Sequence, residues 1–369
     1  MIDSRTINSP PPEIAAVASS LPPAVDQSEV AAFAASLYPQ LAGSRALQVF
    51  ENAGIDKRHL ARPLSWYADP QPPGVRFRIA GDLALEHGSF AARQAMAHAD
   101  IGPGDIDSLV FASTTVLRSP NLDVSLTSTL GLRADIRRLP LFGLASLGGA
   151  AALATAADLV RAGDRTVLVV ASEMNSLTFV PGDESMESLV SMALFSDGAA
   201  AAVVRAADSN EGEELPRLVG RHSTLVPDSS DVMGFDATDE GLQWHLASDV
   251  PDVALAWTRA SVEEAVGQVG WQLDDLVHVL VHPGGTKVLD AVQQAMGWEP
   301  SRLHWSREVM RRHGNVSSVT VLLVLGEFLA SRPGAGRGLL TAMGPGFAFE
   351  HALFTIGSGF AGGTSLPVP

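Results

Sequence analysis

Leu139-Pro140-Leu141-Phe142-Gly143-Leu144-Ala145-Ser146-Leu147-Gly148-Gly149-Ala150 is the stretch on which the fold turns. An apolar, strand-like run breaks at a hydroxyl residue, two glycines follow, and an Ala-rich helical segment begins. Such a strand-to-helix turn mounts a nucleophile: the side chain stands clear of the sheet, and the helix N-terminus adds partial positive charge and free N–H groups. Read alone, Ser146 is equally a small residue at a tight turn.

Outward from this turn the chain alternates short apolar strands with helices. Strands are expected at Ser108–Thr114, Thr166–Ala171, Ala199–Val204, Leu276–Val281 and Gly338–Ala342. Helices are expected near Phe90–Ala99, Gly148–Ala162, Val253–Val269, Thr286–Met296 and Val316–Ser331. This pattern gives an α/β protein with buried sheets. The chain's 369 residues exceed one simple core, so two packed halves are expected, 1–207 and 215–369, with the polar stretch Asp208–Glu214 as the seam. Residues 1–25, rich in proline at Pro10, Pro11, Pro12, Pro22 and Pro23, read as a loose leader.

Composition narrows the function. Apolar residues make up 46% and charged residues 18%, as in a globular enzyme with a large interior. No apolar stretch reaches the roughly eighteen residues that a transmembrane helix needs, and no secretory signal pattern opens the chain; a cytoplasmic location is expected, with no membrane partner. A net charge of −16 argues against nucleic acid as a partner. It also obliges any anionic substrate to find a local basic patch, and Lys57 and Lys287 are the only lysines. Without cysteine there is no disulfide and no thiolate metal site. The histidines show no ligand spacing, so no metal and no cofactor is expected.

Two further motifs are mounted like Ser146. In Val281-His282-Pro283-Gly284-Gly285 a strand delivers a histidine before a helix; in Gly314-Asn315-Val316-Ser317-Ser318 an asparagine opens an apolar helix. Singly, His282 fits a core histidine and Asn315 a helix cap. With these motifs in order, and with Leu189-Val190-Ser191-Met192-Ala193-Leu194-Phe195-Ser196-Asp197-Gly198, Trp244-His245-Leu246-Ala247-Ser248-Asp249-Val250-Pro251 and Met343-Gly344-Pro345-Gly346, the chain resembles a bacterial type III polyketide synthase of the chalcone synthase and stilbene synthase family. The resemblance runs from about Phe50 to about Phe354.

That resemblance implies a thiolase-like fold, two similar α/β halves in five αβαβα layers, and a homodimer. It implies a catalytic set of Ser146, His282 and Asn315, where the family has cysteine, histidine and asparagine. Phe195 matches an aromatic gatekeeper, and Trp244 falls where the family usually has a second, Phe; ordinary core packing is the alternative for both. Thr114, Thr115, Asn175, Thr178, Ser191, Ser317 and Gly346 are implied to shape the substrate pocket. Lys57 and Arg58 lie near the family's CoA-phosphate contacts, with a solvated surface pair as the alternative. The implied substrates are acyl-CoA or carrier-protein thioesters and malonyl-CoA.

Serine changes the chemistry. A cysteine thiol titrates near ~8.5 and falls further beside a cation or helix N-terminus, whereas a serine hydroxyl needs a base as it attacks. The implied partner of His282 is Asn315, not the carboxylate of a serine hydrolase. Ala145 and Leu147 also depart from the family's Gly-Cys-Ala/Phe-Gly-Gly, so the elbow differs by more than one residue. Three outcomes follow: a condensing enzyme using an acyl-serine, a serine-dependent acyltransferase or thioesterase on the same scaffold, or a noncatalytic acyl-binding or partner subunit.

Overall fold

A computed structural model describes residues 10–41, 43–207 and 215–357. The seam expected at Asp208–Glu214 lies outside the described residues. The first half comprises β1 (Pro12–Ser20), β2 (Ala24–Asp26), α1 (Gln27–Leu37), α2 (Gln48–Asn52), β3 (Lys57–His59), α3 (Pro73–His98), β4 (Ser108–Ala112) and α4 (Leu122–Leu130). It continues through β5 (Arg137–Leu141), α5 (Gly148–Arg161), β6 (Thr166–Met174), α6 (Met186–Leu194) and β7 (Asp197–Ala206). The second half runs through β8 (Arg217–Leu225), β9 (Met233–Thr238), β10 (Gly241–Leu246), α7 (Val250–Gln268), β11 (Leu276–Val281) and α8 (Thr286–Met296). It ends with α9 (His304–His313), α10 (Thr320–Ala330), β12 (Gly336–Gly344) and β13 (Ala348–Ile356).

The two halves repeat one sheet topology. In the first, the order is β5-β4-β6-β7-β1; in the second, β11-β12-β13-β8. β4 and β6 are parallel, as are β11 and β12, while the later neighbours in each half are antiparallel. Glu13 opposite Arg217 joins β1 to β8.

Period-two alternation makes the layers. Every residue of β6 is buried. Val167 and Val169 face a central core, whereas Leu168 and Val170 face an outer one. The central core holds Ala150, Ala152, Leu153, Ala156 and Ala157 of α5 and Val321–Leu325 of α10, with Val110 from one sheet and Leu280, Leu340 and Phe354 from the other. Alanines of α3 cover the first sheet's outer face; α7 and α8 cover that of the second. The result is the five-layer α/β arrangement expected from the sequence.

The leader expectation is overturned over its described part, residues 1–9 lying outside the described residues. Pro12–Ser20 is a sheet strand paired antiparallel along β7, and Ala24–Asp26 pairs with Lys57–His59. The flanking prolines sit at its ends, where missing N–H groups are tolerated, so proline-rich composition concealed a strand. The helix expected over Phe90–Ala99 is the last part of the longer α3, which opens at Pro73 in the first turn, a position that suits proline. No helix among the described residues is long and apolar enough to cross a membrane.

Candidate active site

The elbow is held from behind. Ala145 opens a single 3-10 turn, Ala145–Leu147, with φ +41°, a left-handed conformation costly for a residue with a Cβ. Its N–H donates to Thr114 Oγ1 at 2.9 Å. Thr114 is anchored in turn, its N–H reaching Glu173 at 3.1 Å, while the Thr115 N–H and hydroxyl donate to Glu173 Oε2 at 3.0 and 2.8 Å. Ser318 Oγ donates to Glu173 Oε1 at 2.8 Å, tying the second half into the same network. Glu173 is fully buried, which pushes its carboxyl pKa up, and these hydrogen bonds pull it back down.

Gly148 and Gly149 let α5 approach the loop carrying Asn315. A Cβ on Gly149 would sit 2.2 Å from Ser318 O, and one on Gly148 2.9 Å from Ser318 Cβ. The N–H groups that follow Ser146 are not free, contrary to expectation: Leu147 N donates to Leu144 O and Gly148 N to Ala145 O. The turn satisfies these two itself, and Ser146 stands half-buried ahead of α5.

His282 and Asn315 come from the other half. His282 directly follows β11, its N–H donating to Thr341 O at 2.8 Å. It is buried, and neither ring nitrogen has a hydrogen-bond partner among the described residues. Burial lowers its pKa to about 3, so the ring is neutral and offers one N–H. Asn315 Oδ1 accepts from Ser317 N at 2.8 Å and from Thr320 Oγ1 at 3.3 Å, which turns Nδ2 outward, with only a long 3.4 Å contact to Gly284 O. The Asn315 backbone pairs with the Phe195 segment: Asn315 N donates to Leu194 O and Ser196 N to Asn315 O.

Ser146, His282 and Asn315 line one cavity of about 650 Å³, with Ser317, Phe195 and Trp244 on its wall. Phe195 and Trp244 rings lie 5.2 Å apart. Other expected pocket residues are placed differently. Asn175, Thr178 and Ser191 line a second cavity beyond the aromatic pair. Thr114 and Thr115 are committed to Glu173 and the elbow. Gly346 lies beside the lining residue Pro345, its carbonyl accepting from Ser229 Oγ at 2.6 Å. Lys57 is exposed and faces Asp26 at 3.8 Å, away from both cavities.

Arg58 needs correction as a phosphate contact. It is 2% exposed and donates from Nη1 to Phe195 O at 2.8 Å, so it braces the Phe195 backbone from inside. Residues that sequence reasoning missed stand at the main cavity instead: Arg45 and Lys287, both exposed, are cations on its lining. The signal for Lys287 was present, one residue into a helix that follows His282. Glu173 was missed as well, though a carboxylate just after the apolar run Val167–Ala171 signals a buried polar site.

Two family domains cover this architecture. The N-terminal domain of the chalcone and stilbene synthases matches residues 73–208, and their C-terminal domain matches 217–356. The chain belongs to the chalcone and stilbene synthase family. A putative chalcone synthase of Bacillus subtilis (strain 168) is 32% identical over 357 residues, 93% of this chain and 98% of the relative. A 1,3,6,8-tetrahydroxynaphthalene synthase of Streptomyces peucetius subsp. caesius is 35% identical over 347 residues, 92% of each chain. The crystal structure of the 1,3,6,8-tetrahydroxynaphthalene synthase of Streptomyces coelicolor A3(2), a bacterial type III polyketide synthase, superposes with a TM-score of 0.88 at 28% identity. The match covers 94% of this chain and 99% of that one. By family and fold the protein is a type III polyketide synthase-like condensing enzyme with a thiolase-like architecture.

Proposed function

We propose that the chain joins an acyl thioester starter to malonyl units in the type III polyketide manner, with Ser146 as acyl acceptor and His282 and Asn315 as donors to the enolate oxygen. The convergence of all three on one cavity, with the His282 ring nitrogens unclaimed by any described residue, carries this reading. A malonyl thioester loses CO2, and the electron pair moves onto the thioester oxygen as an enolate. The neutral His282 N–H and Asn315 Nδ2 donate to that oxygen, in a buried setting where such hydrogen bonds count most. The enolate carbon then attacks the acyl carbonyl, and Ser146 leaves and regains a proton. Arg45 and Lys287 supply charge for the phosphates of a CoA donor, in place of Lys57 and Arg58. The family reading further proposes a cytoplasmic homodimer, its oligomeric state checked by light scattering.

Intact-protein mass after incubation with acyl-CoAs tests the acyl-serine. An adduct on wild type, absent from Ser146→Ala, supports it; an adduct found only on Ser146→Cys removes serine from the role. Extension products from labelled malonyl-CoA separate condensation from simple acyl transfer or thioester hydrolysis.

One observation favours a second reading. Since neither ring nitrogen of His282 has a partner among the described residues, no hydrogen bond joins it to Ser146 to prepare the hydroxyl for attack. The site then decarboxylates malonyl thioesters to acetyl thioesters faster than it acylates itself. Release of CO2 without extension, lost in His282→Ala and kept in Ser146→Ala, distinguishes this outcome. A noncatalytic subunit shows neither activity.

A further inference from the structure

β9 and β10 form a two-stranded ribbon that pairs with no other strand among the described residues. Such a ribbon is marginally stable alone, so its place depends on side-chain anchors. That place matters because β10 carries Trp244, whose ring lies 5.2 Å from that of Phe195 on the wall of the main cavity. Arg76, in the first turn of α3 and only 3% exposed, is such an anchor. Its Nη1 donates to the carbonyls of Leu177 and Phe179, at 3.3 and 2.8 Å, on either side of Thr178. Its Nη2 donates to Glu240 O, in the turn between β9 and β10. Thr178 Oγ1 accepts from Trp244 Nε1 at 2.9 Å. One guanidinium therefore holds both partners of the Trp244–Thr178 hydrogen bond, the ribbon at its turn and the Thr178 segment on both flanks.

Neither helix stability nor ion pairing accounts for Arg76. A cation in the first turn opposes the helix macrodipole, so α3 gains nothing from it. Its hydrogen bonds among the described residues all go to backbone carbonyls, and the exposed Glu240 carboxylate only adds attraction through space. Three carbonyls in different directions need a flat fork of donors, which arginine has and lysine lacks. Gly241 makes room for that fork. It is left-handed at φ +116°, and a Cβ there would lie 2.9 Å from Arg76 Nη2.

We propose that Arg76 is a positioning residue for starter selection: it clasps the ribbon to the Thr178 segment, keeps the Trp244 ring against Phe195, and so limits the bulk of the acyl chain that the main cavity accepts. Arg76 touches no substrate and acts through Trp244. The effect on starters rests on the condensing-enzyme reading of the main site; the clasp itself does not.

Fluorine NMR of the protein labelled with 5-fluorotryptophan reads the clasp directly. Trp244→Phe assigns one of the six tryptophan lines, and the rest report on the fold. Arg76→Met should displace the Trp244 line and leave the others; Arg76→Lys, which keeps the charge but not the fork, should displace it less. Where all six lines move in Arg76→Met, Arg76→Lys carries the test. Extension of hexanoyl-CoA and benzoyl-CoA with malonyl-CoA, compared as kcat/KM, reads the selection. The variant should shift preference toward benzoyl-CoA by about fivefold, the size of a lost hydrogen bond. In a Trp244→Ala background it should shift nothing, whereas a merely structural role would lower both rates alike. A Trp244 line that stays in place overturns the proposal, as does a preference that is unchanged or that shifts equally without Trp244. A displaced line in a protein whose wild type extends neither starter overturns the condensing-enzyme reading and leaves the clasp standing.

Discussion

Each half of the molecule carries one left-handed residue followed by a serine, just before its central helix. In the first half these are Ala145 and Ser146, before α5; in the second, Ser317 and Ser318, before α10. Ala145 has φ +41° and Ser317 φ +53°, and both open a single 3-10 turn. The serines part company beyond that. Ser318 is buried, packs against Gly148 and Gly149, and spends its hydroxyl on Glu173. Ser146 is half-buried and lines the large cavity beside His282 and Asn315. One local geometry, used twice, gives a brace in one half and a candidate nucleophile in the other, and the neighbours make the difference.

That comparison can be broken at several points, beginning with the largest effect. His282→Ala removes an enolate donor and should lower malonyl-CoA decarboxylation by about 10²–10³-fold, measured as CO2 release. A change below threefold would remove His282 from the chemistry. Next, Gly149→Ala places a methyl against a backbone carbonyl that cannot swing away. It should cost roughly 3 kcal/mol in urea unfolding, while Gly143→Ala, with open space around its Cβ position but φ +80°, should cost less.

Acid is expected to destabilise the fold. Burial lowers the pKa of His282 and His351 to about 3 and of His313 to about 4, below the ordinary value of 6.5. The unfolded chain therefore binds more protons than the native one between about pH 6.5 and 3–4, so stability falls as pH drops through that window. Asp197, raised to about 6, and Glu173 and Glu350, raised by burial as well, work in the opposite sense. Burial also lowers His59, His87 and His278, so six histidines stand against three carboxyls. A urea midpoint that stays level from pH 7 to pH 4.5 would contradict the assignment of these histidines as buried and neutral.

Smaller effects separate the two serines. Ser318→Ala removes a donor from buried Glu173 and should cost about 1–3 kcal/mol, whereas Ser146→Ala should change stability by less than about 0.5 kcal/mol. Equal losses would erase the distinction between brace and nucleophile. Smallest of all, Ala145→Gly relieves the left-handed turn and should gain a few tenths to about 1 kcal/mol, the strain relieved exceeding the chain entropy added. Ser317→Gly should gain no more, since its N–H holds Asn315 Oδ1 in either case.

Much of this was legible in the chain itself. Strands such as Leu276–Val281 and helices such as Thr286–Met296 follow from periodicity and turn residues, and the ordered motifs around Ser146, His282 and Asn315 identified the fold. β1 was not legible, because its prolines and small residues read as a leader until β7 supplied the partner. Arg58 was not legible either, since a Lys-Arg pair looks like surface until Phe195 covers it. Glu173 needed three segments to meet before its hydrogen bonds existed: its own strand, residues 113–115 and Ser318.

What the sequence determined by itself is the local: period-two and helical stripes, the turn at Gly148-Gly149, the absence of any thiol, and the order of residues that name the family. Tertiary structure decided the rest, because burial and hydrogen-bond partners are properties of assembled surfaces. It made His282 neutral by enclosing it, left its ring nitrogens without partners among the described residues, and turned Thr114 and Thr115 into supports. It also set Ser146 and Ser318, alike in their local turns, to different work on either side of the same interface.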